Sequence, residues 1–179
     1  MPVIAITGLP GSGSSTIARL LAEKLKVKYF SPGEYFKSHS IAKHQTKQVL
    51  SVWLSKEGTK KRFHEDIDKM QVKLAKKGNV VICGKLSIYM LKDIADYKIW
   101  IKCAADERAK RTAERDGISF EEAKKSILER EKIEAKEWRK DYGIDYREQE
   151  RMADIVIDTS NMSKEKTIEK LMSCINQAL

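Results

Sequence analysis

The sequence predicts an α/β fold in which helices flank a five-stranded parallel sheet. Short apolar runs, which are typical of strands buried on both faces, recur along the chain. Longer stretches with apolar residues at helical spacing separate these runs, and such alternation is typical of a parallel sheet wrapped by helices. A glycine-rich turn directly follows the first run. The 179 residues suffice for one domain with a substantial core.

The strands and helices follow from these patterns in chain order. The predicted strands are residues 3–6, 29–30, 79–83, 98–102 and 154–158. One face of the first helix carries Ile17, Leu20, Leu21 and Leu25. The last helix has Ser163 as its predicted N-cap, because a serine side chain can accept hydrogen bonds from the free N–H groups of a first turn. Its apolar face carries Ile168, Leu171, Met172 and Ile175.

Two long segments exceed what a minimal alternation of strands and helices needs. Residues 33–78, called the insert below, and residues 106–151, called the lid segment, are helical in character and rich in polar residues. Long insertions at the strand ends of an open sheet usually carry a binding site or its lid. Solvated surface helices without a ligand are the alternative. The core of the single predicted domain is about residues 1–32, 79–105 and 153–179.

Composition narrows the classes of function. The net charge of +9 suits either a nucleic acid or a small phosphate-rich ligand, and an RNA-binding protein stays an alternative because charge alone does not decide. No run approaches the roughly 18–20 apolar residues of a membrane span. The first eight residues are typical of a core strand and not of a signal peptide. The three cysteines lack metal-ligand spacing. We therefore expect a cytoplasmic monomer that binds neither a membrane nor a nucleic acid.

The glycine-rich turn predicts a loop that binds a nucleoside triphosphate. Glycines let the backbone curl so that successive N–H groups point at phosphate oxygens, and the following helix adds the partial positive charge of its N-terminus. The spacing matches the pattern G-x-x-x-x-G-K-[ST] except at Ser14, which stands where the pattern has lysine. The Ser15 hydroxyl is the predicted Mg²⁺ ligand. The residues predicted to bind the triphosphate are Gly8, Leu9, Pro10, Gly11, Ser12, Gly13, Ser14, Ser15 and Thr16.

With this loop, the chain resembles the archaeal-type cytidylate kinases, which belong to the adenylate-kinase-like nucleoside monophosphate kinases and have the three-layer P-loop kinase fold. The other motifs that carry the resemblance are residues 31–37, 68–84, 106–117, 129–131, 141–145 and 153–160. In that group a hydroxyl residue characteristically occupies the lysine position, so Ser14 resembles a family trait. The resemblance implies transfer of the γ-phosphoryl group of ATP to CMP or dCMP with Mg²⁺. It also implies a monophosphate-binding insert and a mobile lid.

Three arginines of the lid segment are the candidate catalytic residues. Arg108, Arg111 and Arg115 lie at i, i+3 and i+7, so one helical face presents three guanidinium groups. Arginine suits a transferring phosphoryl group because its planar fork engages phosphate oxygens bidentately. Of the three, we favour Arg111 and Arg115 over Arg108 as catalytic residues. A solvated stripe balanced by Glu107 and Glu114 is the alternative.

The acceptor side departs from the family pattern. The resemblance implies arginines that hold the monophosphate at the positions of Lys37 and Lys85, and lysine keeps their charge but loses the bidentate fork. Cys83 replaces an acidic residue that related kinases often place near Mg²⁺. Asp68 matches a family aspartate on the cytosine side, where a carboxylate can accept a hydrogen bond from the exocyclic amine.

These departures leave other functions open. A nucleotide-binding pseudokinase or regulator with little turnover is one alternative, and an adenylate-type or shikimate-type kinase is the closest rival among enzymes. The histidines at 39, 44 and 64 lack metal-ligand spacing, and we expect them at the surface or beside the substrate. Trp53, Trp100 and Trp138 are predicted to be packing residues and not platforms for base stacking.

Overall fold

The computed structural model describes residues 2–38, 45–56 and 60–177. In these residues five strands form one parallel sheet, with the order β2-β3-β1-β4-β5. The strands are β1 (Val3–Gly8), β2 (Lys28–Phe30), β3 (Val80–Cys83), β4 (Tyr97–Lys102) and β5 (Ile155–Asp158). The predicted five-stranded parallel α/β fold is therefore confirmed.

Helices connect the strands and cover the sheet. They are α1 (Ser14–Leu25), α2 (Pro32–Lys37), α3 (Gln45–Trp53), α4 (Lys61–Ala75), α5 (Ser87–Met90), α6 (Ala105–Asp116), α7 (Phe120–Tyr142) and α8 (Lys164–Gln177), with a 3₁₀ helix over Tyr146–Met152. The insert thus contains α2, α3 and α4, apart from the first residue of α2. The lid segment contains α7, most of α6 and most of the 3₁₀ helix. Among the described residues, no helix is both long and apolar enough to cross a membrane.

Alternating side chains of the strands bury the two faces of the sheet. Ile4 and Ile6 pack with α1 and α8, whereas Val3 and Ala5 pack with α4 and α5 on the other face. Continuous apolar runs are therefore needed, because both sets of side chains are withdrawn from water. The apolar faces predicted for the first and last helices lie in or against the first of these clusters.

Short polar residues and glycines set the ends of several helices. The Ser163 hydroxyl accepts a hydrogen bond from the backbone N–H of Lys166 at 3.3 Å, which confirms its predicted place before α8. Gly117 and Gly143, with φ angles of 64° and 72°, end α6 and α7. Glycine adopts this left-handed conformation at little cost, so the lid segment folds as two α-helices, each ended by a glycine, before the 3₁₀ helix.

The insert and the lid segment meet through a cluster of aromatic side chains. The rings of Trp53 in α3 and Trp138 in α7 are 4.9 Å apart at an angle of 74°. Phe36 of α2 packs in the same cluster, with its ring 5.3 Å from that of Trp53. Trp100 of β4 is buried in the cluster that Val3 and Ala5 form with α4 and α5. All three tryptophans are buried, which confirms that they pack in the interior, and that they do not stack on a base stays a prediction.

The strand order places a crevice at the carboxyl end of β1. β1 lies between β3 and β4, so the chain leaves the sheet towards opposite sides after neighbouring strands. In open α/β sheets, ligands bind at such a switch point. The glycine-rich turn occupies this position, and the insert, which follows β2, and the lid segment, which follows β4, leave the sheet on opposite sides of β1.

Candidate phosphate-transfer site

The turn between β1 and α1 has the geometry of an anion-binding loop. Gly11 and Gly13 have φ angles of 81° and 85°, which L side chains rarely adopt. A Cβ atom on Gly11 would lie 2.7 Å from the carbonyl oxygen of Arg108, so the turn lies directly against α6. Because α1 begins at Ser14, the N–H groups of its first turn lack intrahelical acceptors and point back towards the loop. A phosphate placed there meets these N–H groups and the positive end of the helix dipole.

The groups beside the loop decide how a divalent cation can be held. The Cys83 sulfur lies 3.9 Å from the Ser15 hydroxyl oxygen. Burial raises the pKa of the Cys83 thiol, so it stays protonated at neutral pH and is a poor ligand for a hard cation. Among the described residues, no cluster of three or more His, Cys, Asp or Glu side chains is suited to a metal. The side chains present fit a Mg²⁺ ion held mainly by nucleotide phosphates and water, with one serine hydroxyl as protein ligand.

Arg108 lies under the loop and is not presented on an exposed face. The residue is 4% exposed. Its guanidinium donates a hydrogen bond of 2.9 Å to the Pro10 carbonyl oxygen and forms an ion pair with Glu131 of α7. The expected face of three available guanidinium groups is therefore incomplete, because α7 covers the first of them. These contacts tie the loop to both helices of the lid segment.

Arg111 bridges the loop and the end of the sheet. Its Nη1 donates to the Ser12 carbonyl oxygen at 3.2 Å and to the Thr159 hydroxyl at 3.1 Å, and its Nη2 donates to the Thr159 carbonyl oxygen at 2.6 Å. Its Nε donates to Glu107 at 3.0 Å. Arg111 is thus beside the backbone that would hold phosphates, as its predicted role requires.

Arg115 follows one turn further along α6, at the end of the helix. Its Nε and Nη2 each donate to the Asp116 carboxylate at 2.8 Å. The Asp116 side chain is buried, whereas that of Arg115 is about one-third exposed. A contact of Arg115 with phosphate therefore requires this pair to rearrange or to bind the phosphate jointly.

A cavity with about 60 Å³ of free space for water-sized molecules lies between the insert and the lid segment. Its wall includes Phe36 and Trp53 from the insert, Trp138 from the lid segment, and the predicted acceptor residues Asp68 and Lys85. The structure therefore brings together aromatic side chains and polar groups from both segments in one place.

Asp68 connects the insert to the lid segment. Its carboxylate accepts a hydrogen bond of 2.7 Å from the Gln71 amide and another from the Tyr142 hydroxyl of α7. Burial raises the pKa of Asp68 to about 6, and these two hydrogen bonds oppose the rise. Two carboxylate oxygens have about four acceptor positions, so capacity remains for a ligand amine.

The two predicted acceptor lysines occupy different surroundings. Lys37 lies near the end of α2, where burial lowers its pKa and the nearby Arg130 guanidinium lowers it further. The Lys85 ammonium instead donates a hydrogen bond to the Gly8 carbonyl oxygen, and burial lowers its pKa to about 8. Lys85 therefore reaches the loop itself, which its sequence position does not reveal.

The structure also shows site residues that the sequence patterns do not single out. Glu134 is 2% exposed and lines the cavity, and its Oε1 accepts a hydrogen bond of 2.7 Å from Arg130. The i, i+4 spacing of this pair is the one signal available in the sequence. His64 lines the same cavity and its ring stacks on that of Trp53 at 4.5 Å, so it is beside the candidate acceptor space and not at the surface. The histidines at 39 and 44 lie outside the described residues.

Comparison with known proteins identifies the family. Residues 3–161 match the model of the cytidylate kinase-like family. This chain belongs to the cytidylate kinase-like family. A protein of Methanopyrus kandleri named cytidylate kinase is 34% identical over 186 residues, which cover 99% of this chain and 94% of that protein. A protein of the same name from Ignicoccus hospitalis is 37% identical over 173 residues, which cover 96% of this chain and 97% of that protein.

Solved structures confirm the fold of this cytidylate kinase-like chain. The shikimate kinase from Acinetobacter baumannii in complex with shikimate has a TM-score of 0.65 and 17% identity, and the match covers 99% of this chain and 94% of that one. An uncharacterized protein from Eubacterium ventriosum has a TM-score of 0.70 and 17% identity, over 98% and 99% of the two chains. Such identities bear on the fold alone, and the fold is that of the P-loop kinases.

We expect Arg108→Met to destabilise this cytidylate kinase-like protein by about 3–5 kcal/mol, because Glu131 loses its partner in a largely buried site. Chemical denaturation measures the change. Lys110→Met, at an exposed position of the same helix, is the matched control and should stay within about 0.5 kcal/mol of wild type. The double variant Arg108→Met/Glu131→Gln should recover part of the loss. Equal stability of Arg108→Met and Lys110→Met would contradict a structural role for Arg108.

Proposed function

We propose that this chain transfers the γ-phosphoryl group of ATP to CMP or dCMP, giving CDP or dCDP. The observation that carries the proposal is the position of the loop. It lies at the carboxyl end of β1, and Lys85 both contacts it and lines the cavity between the insert and the lid segment. A donor on the loop and an acceptor in the cavity would therefore be neighbours. Relatives named cytidylate kinase, similar over nearly the whole chain, favour a cytosine nucleotide as acceptor.

The donor side of the proposed reaction depends mainly on backbone groups. Backbone N–H groups of residues 8–16, apart from Pro10, which has none, would bind the triphosphate, and the Ser15 hydroxyl would hold Mg²⁺. A bound Mg²⁺ would supply positive charge to offset the negative charge of the phosphates during transfer. The Ser12 hydroxyl is buried and has no hydrogen-bond partner among the described residues, which is consistent with a polar ligand nearby.

We assign the insert, residues 33–78, to the acceptor and the lid segment, residues 106–151, to closure over both nucleotides. Asp68 would accept a hydrogen bond from the exocyclic amine of cytosine, and Lys37 would attract the monophosphate. The aromatic contacts between the two segments would exclude water from the reacting groups, which protects the donor from hydrolysis. Opening of these contacts would be required for nucleotides to enter and leave.

Phosphoryl transfer needs in-line positioning and positive charge more than covalent chemistry. We assign the charge on the lid side to Arg111 and Arg115. Arg111 already contacts the loop backbone, so a small change in its partners would bring it to phosphate oxygens. Arg108 would act indirectly, because its contacts with Pro10 and Glu131 hold the loop against α6 and α7.

We further propose that the protein acts as a monomer in the cytoplasm, with nucleotides and not nucleic acids as its partners. All three cysteines have free thiols, which suits a reducing compartment. Basic side chains of the site face the loop and the cavity, where a small anionic ligand can reach them.

We expect purified protein with ATP and Mg²⁺ to phosphorylate CMP and dCMP with a kcat/KM at least about tenfold higher than for UMP or AMP, since hydrogen bonds to the cytosine amine discriminate bases. A steady-state assay of ADP formation with each acceptor measures this. Turnover with AMP or shikimate alone would show that CMP is not the acceptor. Tight ATP binding without turnover of any acceptor would favour a nucleotide-binding regulator.

Arg115→Ala should lower kcat for CMP at least about 100-fold and change ATP affinity much less, because the proposed contact forms at the transferring group. Arg151→Ala, at an exposed arginine of the 3₁₀ helix, is the control and should keep wild-type kinetics. Steady-state kinetics and nucleotide titration separate the two effects, and a melting curve checks that Asp116 tolerates the loss of its partner. Equal losses in kcat and ATP affinity would argue against this role.

A further inference from the structure

We propose that Lys85 supplies the positive charge that the phosphate loop lacks at Ser14, and that its ammonium binds the donor triphosphate and not the acceptor monophosphate. This inference rests on the proposed function, because it assigns the loop to ATP. In loops of this pattern the loop's own lysine contacts the donor phosphates. Here Lys85, which follows the neighbouring strand β3, would make that contact.

The sheet brings Lys85 to the loop. β3 pairs with β1 in parallel, with Cys83 opposite Ile6, so the two strands end side by side. Lys85 follows Cys83 by two residues, and its ammonium donates a hydrogen bond to the carbonyl oxygen of Gly8, the first residue of the loop. The side chain therefore crosses from the end of β3 to the base of the loop.

The backbone around Lys85 is fixed on both sides. The Lys85 carbonyl oxygen accepts a hydrogen bond of 2.7 Å from the Gln149 amide. The Gly84 carbonyl oxygen accepts one of 2.8 Å from the Thr7 hydroxyl, and a Cβ atom on Gly84 would lie 2.8 Å from the Ser87 hydroxyl oxygen. The Cα position of Lys85 is thus set by its neighbours, and its flexible stem alone decides where the charge lies.

The three candidate arginines of α6 differ from Lys85 in their partners. Arg108, Arg111 and Arg115 each pair with a carboxylate, and the first two also donate to loop carbonyl oxygens. Among the described residues, the hydrogen-bond acceptor of the Lys85 ammonium is the neutral carbonyl oxygen of Gly8. An ammonium group has three N–H donors, so two remain for phosphate oxygens.

The electrostatic surroundings of Lys85 favour an anionic ligand. Burial lowers the pKa of Lys85 to about 8, which shows that its charge is incompletely compensated by the protein. The Glu134 carboxylate opposes this lowering of the Lys85 pKa most strongly, and it already pairs with Arg130 at 2.7 Å. A phosphate group on the loop would complete the compensation. At neutral pH the ammonium is still mainly protonated and able to bind it.

Lys85→Gln tests the inference, because an amide keeps hydrogen-bonding capacity beside Gly8 but removes the charge. We expect ATP affinity, measured by calorimetry without acceptor, to fall at least about tenfold, since hydrogen bonds to charged groups contribute that much. CMP affinity should change less than about twofold. Lys170→Gln, at an exposed lysine of α8, is the matched control and should leave both affinities unchanged.

Returning the charge to the loop provides the second arm. Ser14→Lys in the Lys85→Gln background should restore ATP affinity, because a lysine in the loop reaches the same phosphates. It should also raise kcat at least about tenfold above that of Lys85→Gln alone. Melting curves confirm that each variant is folded. Loss of CMP affinity with unchanged ATP affinity, or a folded double variant without recovery, would overturn the inference. ATP binding needs no acceptor, so these outcomes stay distinct from a wild-type protein that fails to phosphorylate CMP.

Discussion

The contact between the phosphate loop and α6 is the constraint on which the site depends. Gly11 has no side chain, so the loop backbone lies against α6 within the distance of a Cβ contact. Arg108 then fastens the Pro10 carbonyl oxygen to α6, and its ion pair with Glu131 brings α7 into the same unit. The lid segment is therefore anchored at the loop and not only hinged from the sheet. These contacts would transmit a movement of α7 on nucleotide binding to the loop.

The distribution of positive charge follows from the same packing. A loop without its own lysine needs cations from elsewhere, and the helices that cover it also bring acidic side chains that occupy most of the arginines. Lys85 approaches from the sheet side, where β3 ends beside β1 and where its ammonium meets a carbonyl oxygen. Lys85 and the N–H groups of the loop would thus hold the donor triphosphate. The lid arginines would change partners as the phosphoryl group moves. On the proposed division, Ser14 could replace the loop lysine while the charge on the donor side is kept.

The sequence predicts the features that arise locally. Strand positions follow from apolar runs because a strand buried on both faces needs them, and the loop follows from glycines that adopt positive φ angles. Partners across the fold are not local. Arginine spacing indicates a helical face, but the burial of Arg108 under α7 depends on Glu131, 23 residues away. The hydrogen bond between Asp68 and Tyr142 spans 74 residues and depends on how the insert meets the lid segment.

A crystal structure with CMP and a non-hydrolysable ATP analogue would test the central claim most directly. We predict that the β- and γ-phosphates lie on the backbone N–H groups of the loop, with the Lys85 ammonium within hydrogen-bonding distance of one of them and the cytosine ring in the cavity beside Asp68. A triphosphate bound away from the loop would contradict the account. So would Lys85 in contact with the CMP phosphate alone.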